Sequence, residues 1–251
     1  MRLNRLVGKW AGAGKRRTRE IFESRKVVLN GRVCEDGKTL IGRFDQVEVD
    51  GAVVQNEVPR YVMLHKPRGI VSATIDPEHR TVIDLIGVEW AGKLHLAGRL
   101  DRFTSGLVVL TNDSCYSESL TDPSKKVGKR YLVEVDGEIG SEVVSTFEAG
   151  MWFAKEKVIT APAVVHLLGP SKCRLTIFEG KHHQIKRMFA SFSLKVISLH
   201  REAVGDLELL DGSAGYRHPV SSTIETYHNF GTASGSRLVT ADRTDITSKV
   251  G

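Results

Sequence analysis

Apolar residues in the first fifty positions recur at helical spacing and then at strand spacing. Leu3, Leu6, Val7 and Trp10 fall at i, i+3, i+4 and i+7, which predicts an amphipathic helix over residues 2–10. Gly12-Ala13-Gly14 interrupts it. The helical period resumes over 15–25, with Thr18, Ile21 and Phe22 on one face and Arg16, Arg17, Arg19 and Glu23 on the other. Val27-Val28-Leu29 then runs into Asn30-Gly31, a two-residue hairpin signal, and Arg32-Val33-Cys34 returns. Gln46-Val47-Glu48-Val49 alternates and stops at Asp50-Gly51, a second such turn. Residues 52–59 lose the period around Asn56, Glu57 and Pro59 and are expected to be a linker.

From position 60 strand patterns dominate. Tyr61-Val62-Met63-Leu64-His65 leads into a forced turn at Lys66-Pro67-Arg68-Gly69. Leu107-Val108-Val109-Leu110 is continuously apolar, as expected of a strand buried on both faces, although periodicity alone does not separate it from a buried helix. Residues 130–135 alternate and stop at Asp136-Gly137, Leu175-Thr176-Ile177-Phe178 stops at Glu179-Gly180, and 195–199 is another short strand. Between the last two, Ile185, Met188, Phe189 and Phe192 predict a helix over 182–192. Few strands are joined by regular helical crossovers, so the fold class is α+β with a mixed, mainly antiparallel sheet. The small, polar residues of 231–251 are expected to be disordered. The domain plan is therefore 1–50, a linker over 51–59, a larger domain over 60–230, and a tail.

Composition narrows the class. The chain has 251 residues, enough to bury a core without disulfides or metals. No apolar run approaches bilayer-spanning length, and no apolar secretion segment follows the N-terminal arginines. Cys34, Cys115 and Cys173 are odd in number and lack metal or disulfide spacing, which points to a reducing, cytoplasmic compartment. The net charge of +6 is placed unevenly. Residues 1–32 hold ten Lys/Arg against two Glu, a balance of +8, leaving −2 for the remainder. A one-signed segment on a near-neutral body reads as a polyanion footprint.

The order helix, Gly-x-Gly, basic helix, strand, Asn-Gly resembles the S4 RNA-binding domain (the αL-type motif) over roughly residues 1–50. The resemblance places phosphate contacts on Arg16, Arg17, Arg19, Lys26 and Arg32. Gly14-Lys15 stands where such domains usually carry a serine cap, so this helix start is weaker.

One segment of the larger domain is chemically pointed. Gly98-Arg99-Leu100-Asp101-Arg102-Phe103-Thr104-Ser105-Gly106 places a single carboxylate in a turn, between two arginines, at the mouth of the apolar strand. A buried carboxylate needs a cationic partner, and an unburied one needs a cleft. By itself Asp101 reads more readily as a turn aspartate bonding the Thr104 or Ser105 backbone amides. That run, with Leu64-His65-Lys66-Pro67-Arg68-Gly69 and Glu179-Gly180-Lys181-His182-His183-Gln184-Ile185-Lys186-Arg187-Met188, resembles the pseudouridine synthases, and among them the branch with an S4 domain. His183 to Ala190 with Leu199-His200-Arg201-Glu202, and Asp76-Pro77-Glu78-His79, look like the branch acting on the small ribosomal subunit.

The resemblance implies a catalytic pseudouridine synthase domain, isomerisation of one uridine of 16S rRNA by base flipping, no cofactor and no metal. It assigns catalysis to Asp101, Tyr131 and Lys186. Whether Asp101 attacks C1′ or C6, or removes a sugar proton, stays open, as does the choice of Lys186 or Arg187 as its partner. Tyr131 would stack on the uracil, and Leu199 would pack against the same pocket. Arg99, Arg102, Lys66 and Arg68 are expected to line the RNA cleft. His183, Gln184 and Arg187 are expected at phosphate or uracil from the helix start. The expected partner is small-subunit ribosomal RNA or an assembly intermediate of that subunit, with no membrane and the chain a monomer. A sister enzyme for 23S rRNA and a non-catalytic rRNA-binding or assembly protein are the alternatives.

Overall fold

The structure, a computed structural model, describes residues 1–209, 224–228 and 237–240. It divides into two units, Met1–Pro59 and Arg60–Gly251.

In the first unit α1 (Leu3–Trp10) and α2 (Lys15–Glu23) pack against a four-stranded antiparallel sheet of β1 (Val27–Leu29), β2 (Arg32–Val33), β3 (Val47–Val49) and β4 (Ala52–Gln55), in the order β2-β1-β3-β4. Leu3, Val7, Phe22, Val27, Ile41, Val47 and Val49 form its core. Both two-residue turns take left-handed conformations, at Asn30 (φ 50°) and Gly31 (78°), and at Asp50 (52°) and Gly51 (78°). That is the backbone a tight hairpin requires. Two expectations need correction. Trp10 is exposed, because α1 ends there and its inward stripe stops at Val7. Residues 52–55 are a strand and not a linker, because the Asp50-Gly51 turn carries Ala52-Val53-Val54-Gln55 back along β3.

The second unit is built on a mixed sheet whose described strands run β11-β12-β8-β13-β7-β5-β15-β16. These are β5 (Tyr61–Lys66), β7 (Ser105–Thr111), β8 (Lys129–Val135), β11 (Val164–Gly169), β12 (Lys172–Ile177), β13 (Val196–Val204), β15 (Ile224–His228) and β16 (Arg237–Thr240). Pairing is antiparallel except at β13–β7 and β15–β5. The short strands β6 (His95–Leu96) and β14 (Leu207–Glu208) join β7 and β13, and β9 (Trp152–Phe153) pairs with β10 (Val158–Ile159) apart from the main sheet. Strand β16 lies within the stretch expected to be disordered. Its residues Arg237-Leu238-Val239-Thr240 pair with β15, and the rest of 231–251 is outside the described residues.

The central strand β7 is buried on both faces. Val108 and Leu110 join the core shared with α3 (Val82–Ile86), α5 (Ser141–Ala149) and α6 (Gln184–Ala190). Leu107 and Val109 join a second core, against which Tyr116 and Leu120 of α4 (Ser114–Thr121) pack. Helix α6 is shorter than its apolar period suggested. His183 is left-handed (φ 49°), so the helix begins only at Gln184, and it ends before Phe192.

At its start β7 meets β13 so closely that only glycine fits. Gly106 has φ 113°, and a Cβ there would lie 2.2 Å from the Arg201 carbonyl oxygen. Gly69 also has positive φ (91°) but faces open space. Urea denaturation should therefore show Gly106→Ala costing roughly 3 kcal/mol or more, against about 1 kcal/mol for Gly69→Ala. Equal losses would contradict the close-approach argument.

Candidate active site

The turn carrying Asp101 is held through its backbone from three sides. The Thr104 amide donates to the Asp101 carbonyl at 3.0 Å, closing residues 101–104 into a β-turn. Below it Lys66, with no exposed surface, donates through Nζ to the carbonyls of Pro67 (3.0 Å), Ile70 (2.9 Å) and Arg102 (3.2 Å). Arg201, 2 % exposed, donates through Nε to the Leu107 carbonyl at 2.7 Å and through Nη1 to that of Arg99 at 3.4 Å. The Leu100 amide donates to Ser72 Oγ at 3.1 Å, and the Gly69 amide to the Arg102 carbonyl at 2.8 Å. The Lys66-Pro67-Arg68-Gly69 turn is thus the support of the Asp101 turn.

The Asp101 side chain is about one-third exposed. Lys186 Nζ donates to its Oδ2 at 2.7 Å, and His183 Nε2 lies 3.4 Å from Oδ1. Lys186 comes from the first turn of α6, and His183 from the residue that caps it. The charge-assisted bond fixes the carboxylate's orientation. Tyr131 of β8, Leu199 of β13 and Ile177 of β12 close the same pocket with apolar surface, and Arg99, Thr104 and Lys181 add polar groups. The Thr104 hydroxyl is buried and has no hydrogen-bond partner among the described residues. An oriented carboxylate beside an aromatic ring, with cations around it, suits attack on, or proton removal from, a planar anionic-backbone ligand.

Three residues expected to contact the ligand have their side chains committed to the protein itself. Lys66 does not line a cleft, because its three carbonyl bonds hold it inside, where burial pushes its pKa down to about 8. Gln184 is 3 % exposed. It donates to Glu179 at 2.7 Å and accepts from the Lys181 amide at 3.0 Å, so its amide shapes the loop before α6. Arg187 forms a two-bond pair with Glu156, each at 2.7 Å, and its guanidinium packs 3.9 Å from the Phe153 ring centroid. Asp101 therefore pairs with Lys186 and not with Arg187. The pair with Glu156 also holds the Arg187 guanidinium above its usual pKa. Leu199 is at the pocket wall, Arg99 at its rim, and Arg68 and Arg102 are exposed on the two adjoining turns. Arg102 Nε donates to the Gly69 carbonyl at 3.2 Å.

Several residues in this arrangement went unnoticed in the sequence. Arg201 and Ser72 support the Asp101 turn, Glu179 organises the loop before α6, and Thr104 and Lys181 line the pocket. Arg201 and Lys181 lie inside quoted runs, yet nothing in residue type separates a buried arginine from a solvated one.

On the first unit the helical period separates the basic residues. Arg2, Arg5, Lys9, Lys15, Arg19 and Lys38 line one groove. Arg17 and Lys26 line a different cleft beside Trp10, and pair with Glu20 and Asp50. Arg16 pairs with Glu20 at 3.3 Å, and Arg32 is exposed on β2. The five expected phosphate contacts do not share a face: position 17 is turned well away from 15 and 19 on α2, and Arg17 and Lys26 line a cleft apart from the groove that holds Arg19.

No group of three or more His, Cys, Asp or Glu among the described residues is arranged to hold a metal ion. None of the described helices is long and apolar enough to cross a membrane.

Lys66→Met should lower stability by roughly 1–3 kcal/mol through the three abandoned carbonyls. The native Lys66 loses its proton near pH 8 while the unfolded one holds it to 10.5, so between these values the unfolded state binds more protons. Over that window the stability of wild type relative to Lys66→Met should rise, as read by urea unfolding at pH 7 and pH 10. A flat difference would show that Lys66 is not buried.

Comparison with known proteins gives three findings. Residues 60–191 match the family described as RNA pseudouridylate synthase. The chain is 42% identical over 208 residues to a Pseudomonas aeruginosa protein named ribosomal small subunit pseudouridine synthase A, covering 82% of this chain and 90% of that one, and 36% identical over 210 residues to the Escherichia coli K12 protein of the same name, covering 83% and 91%. A solved structure described as a pseudouridylate synthase superposes with a TM-score of 0.60 at 32% identity, covering 86% of this chain and 95% of that one.

Proposed function

Because the chain belongs to the RNA pseudouridylate synthase family, we propose that it isomerises one uridine of 16S rRNA to pseudouridine, at the position numbered 516. The names of its relatives support the small subunit as the source of the substrate. The observation that carries the catalytic reading is the Asp101 carboxylate, oriented by Lys186 at 2.7 Å in a pocket walled by Tyr131 and Leu199.

The reaction breaks the N1–C1′ bond, turns the uracil and joins C5 to C1′. C5 loses a proton and N1 gains one, so no electrons are exchanged with a second reactant. A uridine stacked in RNA hides these atoms, and it must leave the stack to enter the pocket. Asp101 then reaches the sugar or the base, Lys186 holds its carboxylate, and the Tyr131 ring covers one face of the uracil with its hydroxyl available for the C5 proton. His183 and Arg99 at the rim contact the backbone or the base edge.

Residues 1–59 are proposed as an S4-type unit that holds the rRNA by its phosphates. The basic groove of Arg2, Arg5, Lys9, Lys15, Arg19 and Lys38 supports this. The substrate is 16S rRNA or an assembly intermediate of the small subunit, and the chain acts as a monomer in the cytoplasm.

Three measurements test the proposal. The purified protein should release tritium from 5-³H-uridine in 16S rRNA transcripts or small-subunit assembly intermediates. Mapping of rRNA from cells lacking the gene should show one pseudouridine missing from 16S. Loss from 23S instead would move the substrate to the large subunit, and no loss would end the proposal. Removing residues 1–59 should weaken rRNA binding and flatten its dependence on salt, whereas an unchanged salt slope would show that the basic groove is only a solvated face.

A further inference from the structure

Asp101 and Thr104 are the feet of the β-turn that lines the pocket, and Arg102 and Phe103 are its tip. The Phe103 ring is 60 % exposed. Exposing a large aromatic side chain forfeits hydrophobic stabilisation, and such residues beside a binding site often mark contact surfaces. Among the exposed large apolar side chains of the described second unit, Phe103 is the one carried by the Asp101 turn.

Its setting is ordered and cationic. The Arg102 guanidinium lies over the ring, 5.3 Å from its centroid, and is itself held by the Gly69 carbonyl and by His79. Arg68 and Arg99 are exposed on the same rim. Lys66 bonds the carbonyl of Arg102 within the tip and Arg201 that of Arg99 just before the turn, so the tip cannot swing freely. The site therefore carries two aromatic surfaces with different exposure. Tyr131 is 7 % exposed inside the pocket, whereas Phe103 stands outside it.

These positions fit two halves of one problem. When a nucleotide leaves a stack, the extruded base needs a face to stack on, and its former neighbours lose theirs. Apolar side chains inserted between base steps offset that loss in other nucleic-acid complexes, and base–aromatic stacking is worth roughly ten- to a hundredfold in affinity. Resting on the reading that Asp101 acts on an extruded uridine, we propose that Phe103 is a wedge. Its ring enters the RNA stack beside the target and takes up the stacking the uridine gives up, while Arg102 neutralises the adjacent phosphate. It is a positioning residue and touches none of the reacting atoms.

The test compares two RNAs: a hairpin carrying the mapped uridine in its stem with 2-aminopurine on its 3′ side, and an unstructured oligoribonucleotide of the same sequence. Single-turnover pseudouridine formation and 2-aminopurine fluorescence are followed for wild type, Phe103→Ala and Phe103→Trp. Phe103→Ala should lose at least tenfold more rate on the hairpin than on the single strand, with a reduced fluorescence change. Phe103→Trp should recover most of both. Equal losses on the two RNAs, or none, would overturn the wedge. A wild-type protein inactive on both RNAs would instead overturn the proposed function and the wedge with it.

Discussion

Two buried cations hold the Asp101 turn by its backbone, and the geometry of the pocket depends on that hold. Lys66 and Arg201 reach the carbonyls of Arg102 and Arg99, which bracket the aspartate on either side. Burying a lysine and an arginine is costly unless their donors are met, and here backbone carbonyls meet most of them. One Arg201 nitrogen, Nη2, has no hydrogen-bond partner among the described residues. The return is rigidity. A carboxylate on an exposed turn would sample many orientations, whereas this one is fixed before any ligand arrives. The close approach of Gly106 to Arg201 belongs to the same device, since it lets β7 and β13 pair in parallel directly beneath the turn.

The side-chain bonds of Asp101 come from the opposite direction. Lys186 and His183 arrive on α6, some 85 residues later, and α6 is seated by Ile185, Met188 and Phe189 in the larger core. The loop before it is set by Glu179, which accepts from the Gln184 side chain and the Ala161 amide. Turn and helix thus have separate supports, and the pocket forms where they meet. Phe103 projects from the turn outside that pocket, which would let one rigid element serve both the chemistry and the opening of the RNA.

Much of this was legible because it is local. Asn30-Gly31 and Asp50-Gly51 mark hairpins by backbone preference alone, and Leu107 to Leu110 mark a doubly buried strand by the absence of polar positions. The motif residues around Asp101, Lys186 and Tyr131 are also contiguous in the chain. What could not be read was the environment of charged side chains. Lys66, Gln184 and Arg187 look like surface groups by type, yet one is buried on carbonyls, one braces a loop, and one pairs with Glu156. Each depends on a partner far away in sequence or on a backbone atom, neither of which leaves a pattern. Strand β4 was missed for the opposite reason, since Asn56, Glu57 and Pro59 drew attention from the four residues before them.

The central claim is that the Asp101 carboxylate carries the isomerisation. Asp101→Asn keeps the size of the side chain and removes only its charge and basicity, so the fold, the turn and RNA binding should survive. Its rate of tritium release from 5-³H-uridine in 16S rRNA, measured beside its melting temperature and rRNA affinity, is the most direct measurement. The account predicts a folded, RNA-binding protein with no detectable release. Release at a rate near that of wild type would contradict it.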